Sequence, residues 1–300
     1  MKRHYILPIL FILCICMAVS CQKTEPPVSP RFQLPTISSD VVYPVEDRGA
    51  DAAFGGKCFY YLSASSSEVR ALDLSTGEDW VLTDALTSPA LLAADGDEVC
   101  VYDESDSLIH RFSHEGSEIG VYIPPEPPEH GWKYKRMAVF HGTVAISSDL
   151  HLWIIDGGTG KTTEADLSDC EFREIVHPFV ADCDTIYFVG SMGNASYNNT
   201  LYKCTGEGIV NEKWTEAVFQ AFCMMGDEVV FEDSVQLFGL EHGKYPVLAT
   251  IDPHNSLRNG VALRMAFSEN SLAVEWLGAP HQVVVYPITV SEEGAIENEN

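Results

Sequence analysis

A short cassette returns six times along this chain, and its spacing limits what the chain can fold into. Each copy runs from small or apolar residues into a Gly, Asp or Asn turn and then into an apolar strand. The turn positions are Gly56, Asp97, Gly142, Asp184, Asp227 and Asn270, at intervals of 41, 45, 42, 43 and 43 residues. A fixed period of that length marks a stacked-repeat architecture. It rules out an irregular mixed fold, and it names no reaction.

The second copy is the clearest. Ala90–Ala93 is a short apolar strand, Asp95-Gly96-Asp97 a tight turn, and Val99–Tyr102 a second strand. Asp103–Ser107 is a polar loop, Leu108–Phe112 a third strand, and Ile119–Ile123 a fourth. Apolar, β-branched or aromatic runs of four to six residues between turn residues are strand signals. No segment of comparable length has helical periodicity. Four strands per repeat, arranged radially, form an all-β propeller. Ser39–Val290 spans 252 residues, or 42 for each of six blades. The sixth copy lacks a fourth strand, because the chain passes from Val283–Ile288 into the C-terminal tail. Val41–Val45 is strand-like and has no blade of its own. It is expected to supply the missing strand and close the ring, removing two open sheet edges.

The ends of the chain carry different signals. Lys2 and Arg3 precede a 14-residue apolar run, Ile6–Val19, and the small residues Ala18 and Ser20 stand before Cys21. A membrane-spanning helix needs about 20 apolar residues. The order of charge, short apolar core and small residues is that of a secretory signal. Ala18-Val19-Ser20-Cys21 resembles the bacterial lipoprotein box, which implies lipidation of Cys21; ordinary cleavage after Ser20 and an uncleaved anchor are the competing readings. Residues 1–20 are therefore expected to be a signal peptide. Residues 21–39, with Pro26, Pro27, Pro30 and Pro35, should be a flexible tether. Residues 40–290 form the propeller. Residues 291–300, with four Glu and no basic residue, form an acidic disordered tail.

Taken together, the period, the lipoprotein box and turns such as Asp73-Leu74-Ser75-Thr76-Gly77-Glu78 resemble bacterial lipoproteins with six-bladed propellers of the NHL or TolB-like kind. The resemblance is architectural and covers about 250 residues. Propellers host many functions, so it transfers no site residues.

The formal charge is −26, from 18 Lys and Arg against 44 Asp and Glu. Phosphate backbones need a basic surface, which excludes nucleic acid as a partner. Anionic headgroups would repel the domain, so attachment to a membrane falls to the lipid. Beyond Cys14 and Cys16 of the signal and Cys21 at its end, six cysteines remain: Cys58, Cys100, Cys170, Cys183, Cys204 and Cys223. Most fall in strands, as small buried hydrophobes do. No Cys-x-x-Cys pair occurs, so neither a zinc site nor a redox motif is indicated. One or two disulfides remain open, with 15 possible pairings of six cysteines.

Several motifs invite chemistry and then fail on context. Asp156-Gly157-Gly158-Thr159-Gly160-Lys161-Thr162 looks like a phosphate loop, but Ile155 stands where that motif needs Gly, and no helix follows. It shares the Asp-x-x-Thr-Gly form of Asp73–Gly77 and reads as a hairpin turn. His110 and His114 fall on a strand and its turn, without the helical zinc motif. Asp103, Glu104 and Asp106 lack the Gly and distal Glu of a calcium loop and read as a solvated loop. No cofactor, metal ligand set or catalytic residue is indicated.

Two insertions depart from the repeat. Pro124–Gly131 is Pro-rich and leads into Trp132, Lys133, Tyr134, Lys135 and Arg136, the one basic cluster in an acidic chain. Gly190–Thr200 joins strands two and three of the fourth repeat and includes Tyr197 and Asn198. In a four-stranded blade, two-to-three loops and blade-to-blade loops emerge on the same face, and loops on rigid scaffolds carry binding. The candidate binding residues are Trp132, Lys133, Tyr134, Arg136, Tyr197 and Asn198; the competing reading of Lys133–Arg136 is a strand start balanced by nearby carboxylates. The expected function is that of a non-catalytic, lipid-anchored protein of the bacterial cell envelope, outside the cytoplasm. It would bind a protein or glycan through this face. The alternatives are a propeller hydrolase or lactonase-like enzyme with a metal at the channel mouth, and a subunit of an envelope assembly complex. The innermost strands are largely apolar, with His177 and Arg264 as polar exceptions.

Overall fold

The structure is a computed structural model. It describes residues 32–33, 41–126, 133–180, 185–192, 199–217, 221–225, 228–232, 236–239, 247–250, 262–268, 271–277 and 281–290. Cys21, Trp132, Tyr197 and Asn198 lie outside the described residues, as do the signal segment, most of the tether and the C-terminal tail.

Every described element is a strand. β1 (Phe32–Gln33) and β2 (Val41–Val45) come first, and β3 (Arg48–Gly55), β4 (Cys58–Ser63), β5 (Val69–Asp73) and β6 (Asp79–Thr83) form sheet I. Sheet II holds β7 (Pro89–Ala94), β8 (Val99–Asp103), β9 (Leu108–Phe112) and β10 (Glu118–Tyr122). Sheet III holds β11 (Arg136–Phe140), β12 (Thr143–Ser147), β13 (Leu152–Asp156) and β14 (Thr162–Glu164). Sheet IV holds β15 (Glu174–Val180), β16 (Thr185–Ser191), β17 (Asn199–Thr205) and β18 (Val210–Ala217). Sheet V holds β19 (Ala221–Met225), β20 (Glu228–Glu232), β21 (Gln236–Gly239) and β22 (Val247–Thr250). Sheet VI contains β23 (Ala262–Ser268), β24 (Ser271–Trp276) and β25 (His281–Pro287), and its fourth strand is β2. β26 (Thr289–Val290) pairs with β1.

Sheets I–V are antiparallel meanders, sheet VI is antiparallel with β2 as its outer strand, and the fold is an all-β propeller with four-stranded blades. Val41–Val45 pairs with β25 in the register Val41↔Val285 to Val45↔His281, so the strand without a blade of its own completes sheet VI, as the sequence implied. Phe32–Gln33, inside the segment expected to be a tether, also forms a strand. It pairs with Thr289–Val290 and lies beside β22.

The turns explain why strands start and stop where they do. Between β5 and β6, the Asp73 carboxylate accepts the N–H groups of Ser75 (2.7 Å) and Thr76 (3.0 Å), and Gly77 takes a positive φ of 78°. Between β13 and β14, Asp156 does the same for Gly158 (2.8 Å) and Thr159 (3.2 Å), with Gly160 at 69°. The phosphate-loop lookalike is thus a hairpin turn closed by its own aspartate.

The core lies between sheets rather than within them. One cluster joins sheets I and II through Tyr60, Leu62, Leu92 and Val101. Others join II with III, III with IV, and V with VI. A further cluster joins Val45 and Val283 of sheet VI to Ala52, Phe59, Tyr61 and Leu72 of sheet I. Sheets II, III and IV are covered on both faces, and their second strands, β8, β12 and β16, are buried at nearly every position. Cys100, Cys204 and Cys223 are buried free thiols, and Cys58 and Cys170 are half-buried and also free. Burial pushes the Cys170 thiol up to about 11 and that of Cys204 to about 12, as expected for cysteines acting as packing residues.

Candidate functional site

The first strand of each sheet lies nearest its neighbours: β3 packs beside β7, β7 beside β11, β11 beside β15, β19 beside β23, and β23 beside β3. Strands that converge this closely need small side chains. Ala52, Ala53, Ala93, Ala94, Ala138, Ala221 and Ala266 supply them. At Gly55 a Cβ would meet the Ala94 Cβ and the Asp95 carbonyl at 2.6 Å, so only glycine fits between β3 and β7 there. Farther along, the strands enclose a cavity of about 320 Å³. Its wall is mainly apolar, with Leu92, Met137, Val139, Phe222, Met265 and Phe267 among the lining residues.

The polar groups of the cavity gather at its ends. At the end where the first strands begin, Asp51 of β3, Arg136 of β11 and Arg264 of β23 line it. Arg264 donates from Nη1 to Glu275 Oε2 at 2.8 Å and from Nη2 to Asp51 Oδ1. Arg48 donates from Nε to Glu275 Oε1 at 2.7 Å. Asp51 Oδ2 also accepts the Leu92 N–H at 2.9 Å. The Glu275 side chain is fully buried and that of Arg48 nearly so, with 0 and 7 % exposure. The four charges form a chain from sheet I to sheet VI, and Asp51 extends it to sheet II. Burial works against the charge on Arg264, but Asp51 and Glu275 outweigh it and hold its pKa above the ordinary arginine value. His281 lies beside Glu275, with Nδ1 3.6 Å from Oε1; burial first, then Arg48, lowers its pKa.

At the opposite end stand the turns that follow the first strands. Asp95 Oδ1 accepts the N–H groups of Asp97 (2.7 Å) and Glu98 (2.9 Å), and Oδ2 accepts the His141 N–H at 2.7 Å. Asp95, Asp97 and His141 could in principle hold a metal ion. Both Asp95 oxygens, however, are already used in closing two turns and tying sheet II to sheet III.

The loops around the Arg136 end are cross-braced. Lys133 Nζ lies 2.9 Å from Glu104 Oε1 in the loop between β8 and β9, and Lys135 Nζ 2.5 Å from Asp149 Oδ1 in the loop between β12 and β13. Arg136 donates from Nε to the Val176 carbonyl at 2.6 Å and from Nη1 to the Lys135 carbonyl at 3.1 Å. Blade-to-blade and two-to-three loops therefore share this face, as the meander geometry requires.

The candidate residues fare differently. Lys133 is exposed and ion-paired, and Arg136 is exposed at the cavity mouth. Tyr134 is buried at 7 % exposure, edge-on to Tyr102 (5.1 Å) and Trp153 (5.8 Å), and donates its hydroxyl to the Pro125 carbonyl. Its ring anchors the Pro-rich loop to the core, where it has no face free for a partner. Asp103 corrects the expectation of a solvated loop. It is 2 % exposed, and its carboxylate accepts the N–H groups of Thr87 (2.8 Å), Ser88 (3.1 Å) and Ser105 (2.7 Å). Burial alone would raise the Asp103 carboxyl, but Ser105, Thr87 and Ser88 outweigh it and hold it below its usual range. The sequence reading singled out Arg264 but not Arg48, Asp51 or Glu275. A single acid inside the apolar run Leu272-Ala273-Val274-Glu275-Trp276 was the available signal.

No protein-family model matches the sequence, and no curated protein sequence matches it. Solved structures do resemble the fold. A Bacteroides thetaiotaomicron protein of unknown function superposes with a TM-score of 0.55 at 9% identity, over 84% of this chain and 76% of that one. Streptogramin B lyase gives 0.54 at 11% identity, over 83% of this chain and 98% of its own. The WD40 domain of Neurospora crassa Pan2 gives 0.51 at 13% identity, over 79% of this chain and 74% of that domain. These likenesses establish the propeller architecture, which is shared by proteins of unlike function.

Proposed function

We propose that the six sheets form one closed six-bladed ring, and that this ring is the scaffold of a non-catalytic lipoprotein of the bacterial envelope. Lipid on Cys21 holds it to a membrane. A protein or glycan partner docks on the face that carries residues 124–136 and 190–200. The observation that carries the reading is the bracing of that face. Lys133–Glu104 and Lys135–Asp149 tie the basic segment to loops of sheets II and III, Arg136–Val176 ties it to strand β15 of sheet IV, and Tyr134 pins it from below. A rim fixed in this way needs little ordering when a partner arrives, which lowers the cost of binding.

Replacing Trp132, Lys133 and Arg136 together by Ala tests the reading. Exposed ion pairs such as Lys133–Glu104 are worth about 0–1 kcal/mol, so the variant keeps its fold and its unfolding midpoint. Recovery of the partner from envelope extracts falls sharply. Undiminished recovery by a folded triple variant rules out this face.

A further inference from the structure

The cavity is suited to a smaller ligand than the rim is. Its volume of about 320 Å³ lies at the low end of small-molecule sites, which run from about 300 to 1,000 Å³. Its wall is apolar through Met137, Val139, Phe222, Met265 and Phe267, and its mouth holds guanidinium groups. Those groups are not equivalent. Arg264 is occupied by Asp51 and Glu275, and Arg48 by Glu275. Arg136 is bonded only to two backbone carbonyls and has no carboxylate partner among the described residues. A guanidinium carries five N–H donors in a planar fork, so donors of Arg136 are left over, beside an apolar cavity. Two cations, Arg136 and Arg264, line this end of the cavity against one carboxylate, Asp51, and the buried Arg48–Glu275 pair behind them adds no net charge. The mouth is a local excess of positive charge on a chain of formal charge −26.

We infer that this mouth is a binding site for a small amphipathic anion. A carboxylate, sulfonate or phosphate monoester pairs with Arg136, and an apolar body enters the channel between β11 and β23. The buried Arg48–Glu275–Arg264–Asp51 chain holds that end of the cavity in shape. It leaves Arg136 as the group that reads the ligand's charge. The site requires neither the lipid anchor nor the macromolecular partner, and it stands or falls without them.

The test uses a matched pair of fluorescent probes on the purified chain. 1-Anilinonaphthalene-8-sulfonate is an aromatic body with an anionic group, and N-phenyl-1-naphthylamine is the same body without it. The sulfonate should bind saturably at one site per chain. It should bind at least about tenfold tighter than the neutral probe, as a charge-assisted contact to a guanidinium predicts. Arg136→Ala should remove that preference, and Arg136→Lys should keep part of it. Ala266→Leu, which fills the channel from β23, should weaken both probes. Each variant is compared at an unchanged unfolding midpoint, and Arg136→Ala serves where Ala266→Leu lowers it. Equal affinity for the two probes would overturn the inference, as would an Arg136→Ala variant that still prefers the sulfonate. Many weak sites in place of one would overturn it too.

Discussion

At the scale of single residues, the chain concentrates its unusual chemistry where its two ends meet. Glu275 is a carboxylate with no exposure, held by Arg48 and Arg264, and Arg264 reaches on to Asp51. Losing one member of such a group leaves a buried charge unpaired, which costs about 3–5 kcal/mol. Glu275→Ala should therefore lower the unfolding midpoint by about 10 °C, at the few degrees per kcal/mol usual for a domain of this size. Calorimetry checks this, and a change of only a degree or two would show that the network contributes little. The sequence revealed only part of the group. Arg264 stands out among the apolar residues of β23. Asp51 gives no such signal, because nothing in the local pattern tells that its partner lies 213 positions away. Tyr134 shows the opposite limit. An aromatic residue between two lysines reads as a surface anchor, yet its packing against Tyr102 and Trp153 makes it a core residue.

At the scale of elements, strands and turns were legible because their causes are local. Alternation, β-branching and Asp-x-x-Thr-Gly turns act over a few residues, and the observed strands start and stop within a residue or two of them. The role of Asp103 was hidden because its buried carboxylate caps Thr87 and Ser88, which lie before β7. On β9, His110 lies 2.9 Å from both Asp106, in the loop before β9, and Glu118 of β10. Burial would lower its pKa, but the hydrogen bonds its ring donates to Glu118 and Asp106 outweigh that and raise it. The folded state then holds this proton more tightly than the unfolded chain, whose histidine titrates near about 6.5. The stabilisation is complete below that value and is lost as pH rises through the raised folded pKa. His110→Gln should therefore cost more stability at about pH 5.5 than at about pH 8.5 in paired denaturant titrations. An equal cost at both would mean that the two carboxylates do not act on the histidine.

At the scale of the whole molecule, the period near 43 residues conveyed four-stranded blades, because every copy repeats the same local plan. The joining of the two ends could be inferred only from what the sixth copy lacked. Four separate observations now bear on it. Val41–Val45 pairs with β25, and the Tyr43 hydroxyl donates to the Leu74 carbonyl at 2.9 Å. A core cluster includes Val45 and Val283 with Phe59 and Leu72, and the Arg48–Glu275–Arg264–Asp51 chain crosses the same boundary. The site was less legible than the fold, because the cavity is lined by five strands far apart in sequence, and only Arg136 and Arg264 of its polar groups stood out.

The proposed closure of the ring by the N-terminal strand is the central claim, and hydrogen exchange tests it most directly. Removing residues 1–46 deletes β2 and leaves Arg48 and sheet I in place. The account predicts that amides of His281–Val285, paired with β2 in the intact chain, exchange much faster in the truncated protein, and that the whole domain loses stability. Unchanged protection of His281–Val285 without residues 1–46 would contradict it.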